Sequence, residues 1–178
     1  MGKKNKYVYL GRFAPFHKGH QKIVDLTILK YGLENIIMMI GSSDSYNQRT
    51  PYSYEDRKMM IEAVYPEIRV MPLPDMNSAL VYFDGSTNDQ WLAGLKQIEA
   101  EYGAEFIFVG GSLPDLAILA LKFPIKMMTD RSEASLGMSA TKVREALEKN
   151  DQASLATMLD SKVIPLAISG YAKFKKVI

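Results

Sequence analysis

The chain has only two histidines, and they lie three residues apart in one segment, Gly11-Arg12-Phe13-Ala14-Pro15-Phe16-His17-Lys18-Gly19-His20. Imidazole, guanidinium and ammonium groups concentrated this way suit a bound phosphate, because donors fixed around phosphate oxygens stabilise the charge that develops there during transfer. The segment falls between a β-rich run, Lys6–Leu10, and a helical pattern, His20–Tyr31, that ends at Gly32. A helix start offers unpaired N–H groups and the positive end of the helix dipole, and Gly19 lets the backbone approach a ligand closely. Cations in a first turn oppose that dipole by some tenths to about 1 kcal/mol each unless an anion sits among them. The alternative is that both histidines cap the turn or pack against aromatic rings.

A second basic helix start is Met138-Ser139-Ala140-Thr141-Lys142-Val143-Arg144. Ser139 is placed to cap the helix, yet Lys142 stands where a capping box carries Glu or Gln, which leaves room for an anion. Lys142 and Arg144 fit a leaving pyrophosphate; an ordinary capped surface helix with solvated bases fits the same residues.

The rest of the chain must position these two segments. The apolar run Asn35–Ile40 and the stretches 68–73, 106–109 and 125–128 read as further strands, giving five with Lys6–Leu10. Between them, Ser53 and Asp56 begin a helix that runs to Pro66, Asn88–Tyr102 is a helix ended by Gly103, and Pro114 opens a short one to Leu121. Ala140–Lys149 follows Ser139, and Asp151–Ile178 reads as helical with Pro165 near a helix start. Strands that are apolar throughout and alternate with helices predict a doubly wound, Rossmann-like parallel sheet of five strands with helices on both faces. Ligands in such a sheet bind beyond the carboxyl ends of the strands. The irregular stretches 41–52, 75–87 and 129–138 all follow strands and crowd that edge.

At 178 residues with 47% hydrophobic content, the chain reads as one domain, with a catalytic core at 6–150 and a C-terminal helical segment at 151–178. A net charge of +2 without a basic block argues against a nucleic-acid partner. The absence of cysteine removes disulfides, thiolate nucleophiles and cysteine-bound zinc. No apolar run approaches the about 20 residues that cross a bilayer, and the basic start lacks a signal-peptide apolar stretch, so the expectation is a cytoplasmic protein without a membrane partner.

Together the two basic segments resemble the HxGH nucleotidyltransferase superfamily, which pairs a His-x-Gly-His loop with a late Ser-x-Thr-x-x-Arg helix start. Gly11-Arg12-Phe13, then Pro15 through His20, looks most like the archaeal-type nicotinamide-nucleotide adenylyltransferases; pantetheine-phosphate adenylyltransferases and cytidylyltransferases usually lack the arginine after that glycine. The likeness continues through Gly41-Ser42-Ser43, Arg49-Thr50-Pro51, Glu55–Ile61 and Pro72–Asp75, and covers about residues 6–150.

The resemblance implies transfer of AMP from ATP to nicotinamide mononucleotide (NMN), giving NAD and pyrophosphate, with Mg²⁺ carried in on ATP and no metal-ligand cluster. It places His17 and His20 at the α-phosphate, Arg12 on the phosphates, and Lys142 and Arg144 at the β- and γ-phosphates. Gly11, Phe13, Gly19, Gly110, Ser139 and Thr141 complete the ATP site. Arg49 belongs at the acceptor or transferred phosphate, with Asp75, Asn88 and Trp91 around the acceptor. Trp91 fits a pyridinium ring by cation–π stacking and fits core packing equally as a residue type; Asp75 and Asn88 fit a carboxamide or ribose and equally a turn or cap. Ala14, Ala140, Gly110-Gly111-Ser112 and the long segments 76–87 and 132–138 depart from the pattern of relatives. Competing readings are nucleotidyl transfer to pantetheine phosphate, a sugar phosphate or flavin mononucleotide, and a silent nucleotide-binding module. Relatives assemble, which leaves a homo-oligomer open.

Overall fold

The computed structural model describes residues 4–75, 86–110, 113–128 and 137–178, with Ser86 and Thr87 described by backbone only. Strands β1 (Asn5–Gly11), β2 (Ile36–Gly41), β3 (Arg69–Leu73) and β4 (Glu105–Gly110) form a parallel sheet in the order β3-β2-β1-β4. The chain passes from β1 to β2 and β3 on one side, then returns to place β4 on the other side of β1. The switch point therefore lies at the carboxyl ends of β1 and β4, where an open α/β sheet parts to admit a ligand.

Alternation along the strands divides the interior into two layers. Tyr9, Ile36, Met38, Ile40, Val70 and Val109 face a core shared with α1 (Lys18–Tyr31), α2 (Tyr54–Val64), α5 (Ala140–Glu148), α6 (Gln152–Met158) and α7 (Ile164–Lys175). Val8, Leu10, Ile37, Met39, Phe106 and Phe108 face the other way, toward α3 (Ser86–Tyr102) and α4 (Leu113–Leu119). Burial on both faces explains why β2 and β4 carry no polar alternation, whereas β3, at the sheet edge, exposes Arg69 and Pro72.

The helix boundaries follow the local chemistry. Ser53 caps α2 in a reciprocal box with Asp56, and Gly32 and Gly103, both at positive φ, end α1 and α3. The C-terminal segment is two helices. α7 is fixed to α2 by a Lys173–Asp56 ion pair of 3.1 Å, and the Tyr52 hydroxyl donates to the Ala167 carbonyl at 3.2 Å.

The fifth strand expected at 125–128 is reduced to one parallel bridge between Phe108 and Ile125. Phe108 N–H donates to the Pro124 carbonyl and Lys126 N–H to the Phe108 carbonyl, at 3.0 and 2.8 Å, but Pro124 has no N–H with which to extend the ladder backwards. Four strands are present among the described residues. Among these residues no helix is long and apolar enough to cross a membrane.

Candidate active site

β1 ends in a turn whose geometry the aromatic residues set. Phe13 adopts a left-handed backbone at φ 51°, and Phe13 and Phe16 are buried against the His20 ring, edge-on at 5.0 Å and stacked at 5.7 Å. The next turn forms a capping box built from imidazoles. His17 Nδ1 accepts from Gly19 N–H at 3.1 Å, and His20 Nδ1 accepts from His17 N–H at 3.2 Å. A backbone amide can only donate, so each Nδ1 is unprotonated and each ring carries its proton on Nε2. The cost expected of histidine cations at this helix start is thereby avoided: the rings are neutral caps, stacked with centroids 3.7 Å apart.

Both histidines line a cleft of about 510 Å³ at the switch point, with Gly11, Arg12, Phe13, Arg49, Asp115, Ser139, Thr141 and Arg144 among its walls. Arg144, on α5, donates to the Ala14 carbonyl at 2.8 Å and to Thr141 Oγ1 at 3.2 Å, so the late helix is tied to the histidine turn. Ser139 caps α5 by accepting from Lys142 N–H at 3.2 Å. Arg49 sits in a tight turn in which Asn47 Oδ1 accepts from Arg49 N–H at 2.9 Å and Thr50 N–H at 3.0 Å.

The electrostatics are those of an anion site. Partial burial, then the nearby Arg49, holds the Arg12 pKa below its usual value, against the opposing pull of Asp115 and Asp75. Burial, with a contribution from Arg49, lowers that of Arg144 as well. Arg12 and Arg144, each destabilised by partial burial and by the neighbouring Arg49 charge, are relieved by a polyanion.

A smaller cavity of about 200 Å³ opens from the same edge, lined by Arg12, Gly41, Ser42, Asp75, Trp91 and Asp115 with Leu10, Gly11, Leu73 and Pro74. Arg12 and Asp115 therefore belong to both spaces. The Asp75 carboxylate accepts from Ser42 Oγ at 2.9 Å and Ser45 Oγ at 3.1 Å, which ties the end of β3 to the loop after β2. Trp91 lines this cavity and also packs against the α3 and α4 core.

Not every expected residue reaches a wall. Lys142 Nζ donates to the Gly137 carbonyl at 2.6 Å, and Lys18 Nζ turns to the Ala156 carbonyl at 2.8 Å. Gly19 serves the histidine cap, and Gly110 permits close approach: a Cβ there would lie 2.8 Å from the Tyr9 ring. Asn88, one turn before Trp91, is exposed and lines neither cavity. Gly111, Ser112 and most of the segments 76–87 and 132–138 lie outside the described residues.

Sequence reasoning missed Asp115, Asn47 and, above all, Arg57, which is 0% exposed. Its signal was available: Arg57, Met60, Ile61 and Val64 occupy one face of α2 at helical spacing, so a cation stands on an apolar stripe.

Among the described residues no group of three or more His, Asp or Glu is placed to hold a metal ion.

A sequence model of the cytidylyltransferase-like family matches residues 8–146. A nicotinamide/nicotinic acid mononucleotide adenylyltransferase of Acinetobacter baylyi is 31% identical over 150 residues, covering 82% of this chain and 77% of that one. A nicotinamide-nucleotide adenylyltransferase of Halobacterium salinarum is 30% identical over 79 residues, 42% of this chain and only 44% of that relative. A crystal structure of a bifunctional NMN adenylyltransferase/ADP ribose pyrophosphatase from Francisella tularensis, complexed with AMP and a manganese ion, shares the fold at a TM-score of 0.61 and 24% identity, covering 83% of this chain and 42% of that one. On the family match and the identity to the Acinetobacter relative, the chain belongs to the cytidylyltransferase-like nucleotidyltransferases, in the group of the nicotinamide-nucleotide adenylyltransferases.

Proposed function

We propose that this protein transfers the adenylyl group of ATP to the phosphate of NMN, forming NAD and pyrophosphate. The observation that carries the reading is the cleft itself: two neutral imidazoles and three guanidinium groups converge at a helix start beyond β1, beside a smaller cavity walled by Trp91. The adenylyltransferase names of the relatives agree with it.

An NMN phosphate oxygen attacks the α-phosphorus in line, the α–β bridging bond breaks, and pyrophosphate leaves with its electron pair. No protein nucleophile is needed; the chain's part is positioning and charge stabilisation. His17 and His20 offer Nε2–H groups to the α-phosphate, Arg12 lies between transferred phosphate and acceptor, and Arg144 with the start of α5 takes the departing pyrophosphate. Arg49 faces the acceptor phosphate, and Trp91 stacks on the cationic pyridinium ring, worth about 0.5–2 kcal/mol. Lys142 reaches the polyphosphate only by releasing the Gly137 carbonyl. The divalent ion, Mg²⁺ by this reading, enters as part of the ATP substrate and keeps several waters. ATP and NMN meet in the cytoplasm, where this reading places the protein.

The test is acceptor-dependent pyrophosphate release from Mg·ATP with NMN, nicotinic acid mononucleotide, pantetheine phosphate, flavin mononucleotide or nothing added. Release with NMN is expected; silence with NMN alongside release with another acceptor refutes the assignment.

A further inference from the structure

Arg57 uses all five of its N–H groups on backbone carbonyls: Nε on Ser53 at 3.2 Å, Nη1 on Arg12 and Gly41 at 3.2 and 3.1 Å, and Nη2 on Ser42 and Ser43 at 3.0 and 3.3 Å. Burial lowers its pKa to about 10, which leaves it charged at neutral pH. A buried guanidinium is thus held by neutral carbonyls, and it joins three segments: the turn after β1, the turn after β2 and the start of α2. Four of the five positions it fixes adjoin or are left-handed residues, Phe13 at φ 51° and Ser42 at φ 48°. Backbone of that kind persists where its surroundings over-determine it.

The placement is asymmetric. Arg12, Gly41 and Ser42 line the smaller cavity, whereas only Arg12 of Arg57's partners lines the larger cleft. Ser42 in turn donates to Asp75, which lines the smaller cavity too. We infer that Arg57 is a positioning residue for the acceptor: by fixing the β1 and β2 turns against each other, it sets the width of the acceptor cavity and the approach of the acceptor phosphate, while leaving the nucleotide cleft largely alone. The inference rests on assigning the smaller cavity to the acceptor.

Arg57→Lys keeps the charge but cannot span five carbonyls in a planar fan. Measured on folded protein well below its melting temperature, it is expected to raise the acceptor KM about tenfold or more and to lower kcat, with the ATP KM within about threefold of wild type. A purely structural arginine would lower the melting temperature and leave both KM values unchanged. Should Arg57→Lys not fold, Ser45→Ala loosens the same loop from the solvent side, at its Asp75 contact, and should raise the acceptor KM alone. Equal change in both KM values, or no change in either, in whichever variant folds, overturns the inference. A wild-type protein that turns over none of the acceptors would instead refute the functional reading beneath it.

Discussion

The side chain of His17 caps the amide of Gly19 while the side chain of His20 caps the amide of His17, and the two rings stack 3.7 Å apart. One pair of residues thus starts α1 and directs two Nε2–H donors away from the capped backbone. Capping and phosphate binding can be separated. His17→Asn retains a good N-cap and removes the imidazole donor, so the melting free energy should stay within roughly 1 kcal/mol while turnover falls about 10²-fold or more. His20→Ala should lose turnover to the same extent with the fold retained. Chemical denaturation and steady-state kinetics on the same preparations check both; wild-type turnover in either variant removes these histidines from the chemistry.

Arg144 binds Ala14 and Thr141 by two different Nη groups, a fork that lysine cannot reproduce. Arg144→Lys should raise the ATP KM about tenfold and lower kcat, and Arg144→Gln should do more. Pyrophosphate inhibition of the forward reaction should weaken in parallel, as steady-state product-inhibition assays will reveal.

Trp91 both packs and faces the smaller cavity. Trp91→Leu keeps apolar bulk but loses the π face, so acceptor KM should rise about twofold to thirtyfold, with ATP binding by calorimetry unchanged. An unchanged acceptor KM would reduce Trp91 to a packing residue.

Asp56 links α2 to α7. Its burial raises the carboxyl pKa, but hydrogen bonds from Lys173 and Ser53 outweigh that and lower it from the ordinary 3.8. A folded pKa below the unfolded one contributes stability above the unfolded value, and that contribution is lost as pH falls through the folded pKa. Unfolding free energy should therefore drop as pH falls below about 4. Asp56→Asn should cost roughly 1–3 kcal/mol at neutral pH and flatten that drop. A variant with the same acid slope as wild type would assign the slope to other carboxylates.

The sheet was legible because β2 and β4 are apolar on both faces, and the helix starts were legible from Ser53, Ser139 and the histidine loop. The fifth strand, expected at 125–128, pairs with β4 only through the bridge at Ile125, and Pro124 just before it has no N–H with which to lengthen that pairing backwards. Residue types brought the two histidines, Arg12 and Arg144 into one expected group, and the cleft gathers them; the protonation of the histidines was not legible, since it depends on which amides their Nδ1 atoms meet. Lys142 looked suitable by spacing and turned to Gly137 instead, because a long side chain at a helix start has a nearby carbonyl to satisfy. Asp115 gave no sequence signal; the end of β4 and the short α4 bring it beside Arg12 only in three dimensions.

The most direct test supplies unlabelled Mg·ATP with NMN whose phosphate oxygens carry ¹⁸O, and reads both products by mass spectrometry. Attack by the NMN phosphate on the α-phosphorus predicts NAD retaining every labelled oxygen, one of them bridging, and pyrophosphate with none. No NAD, or label in the pyrophosphate, would contradict the account.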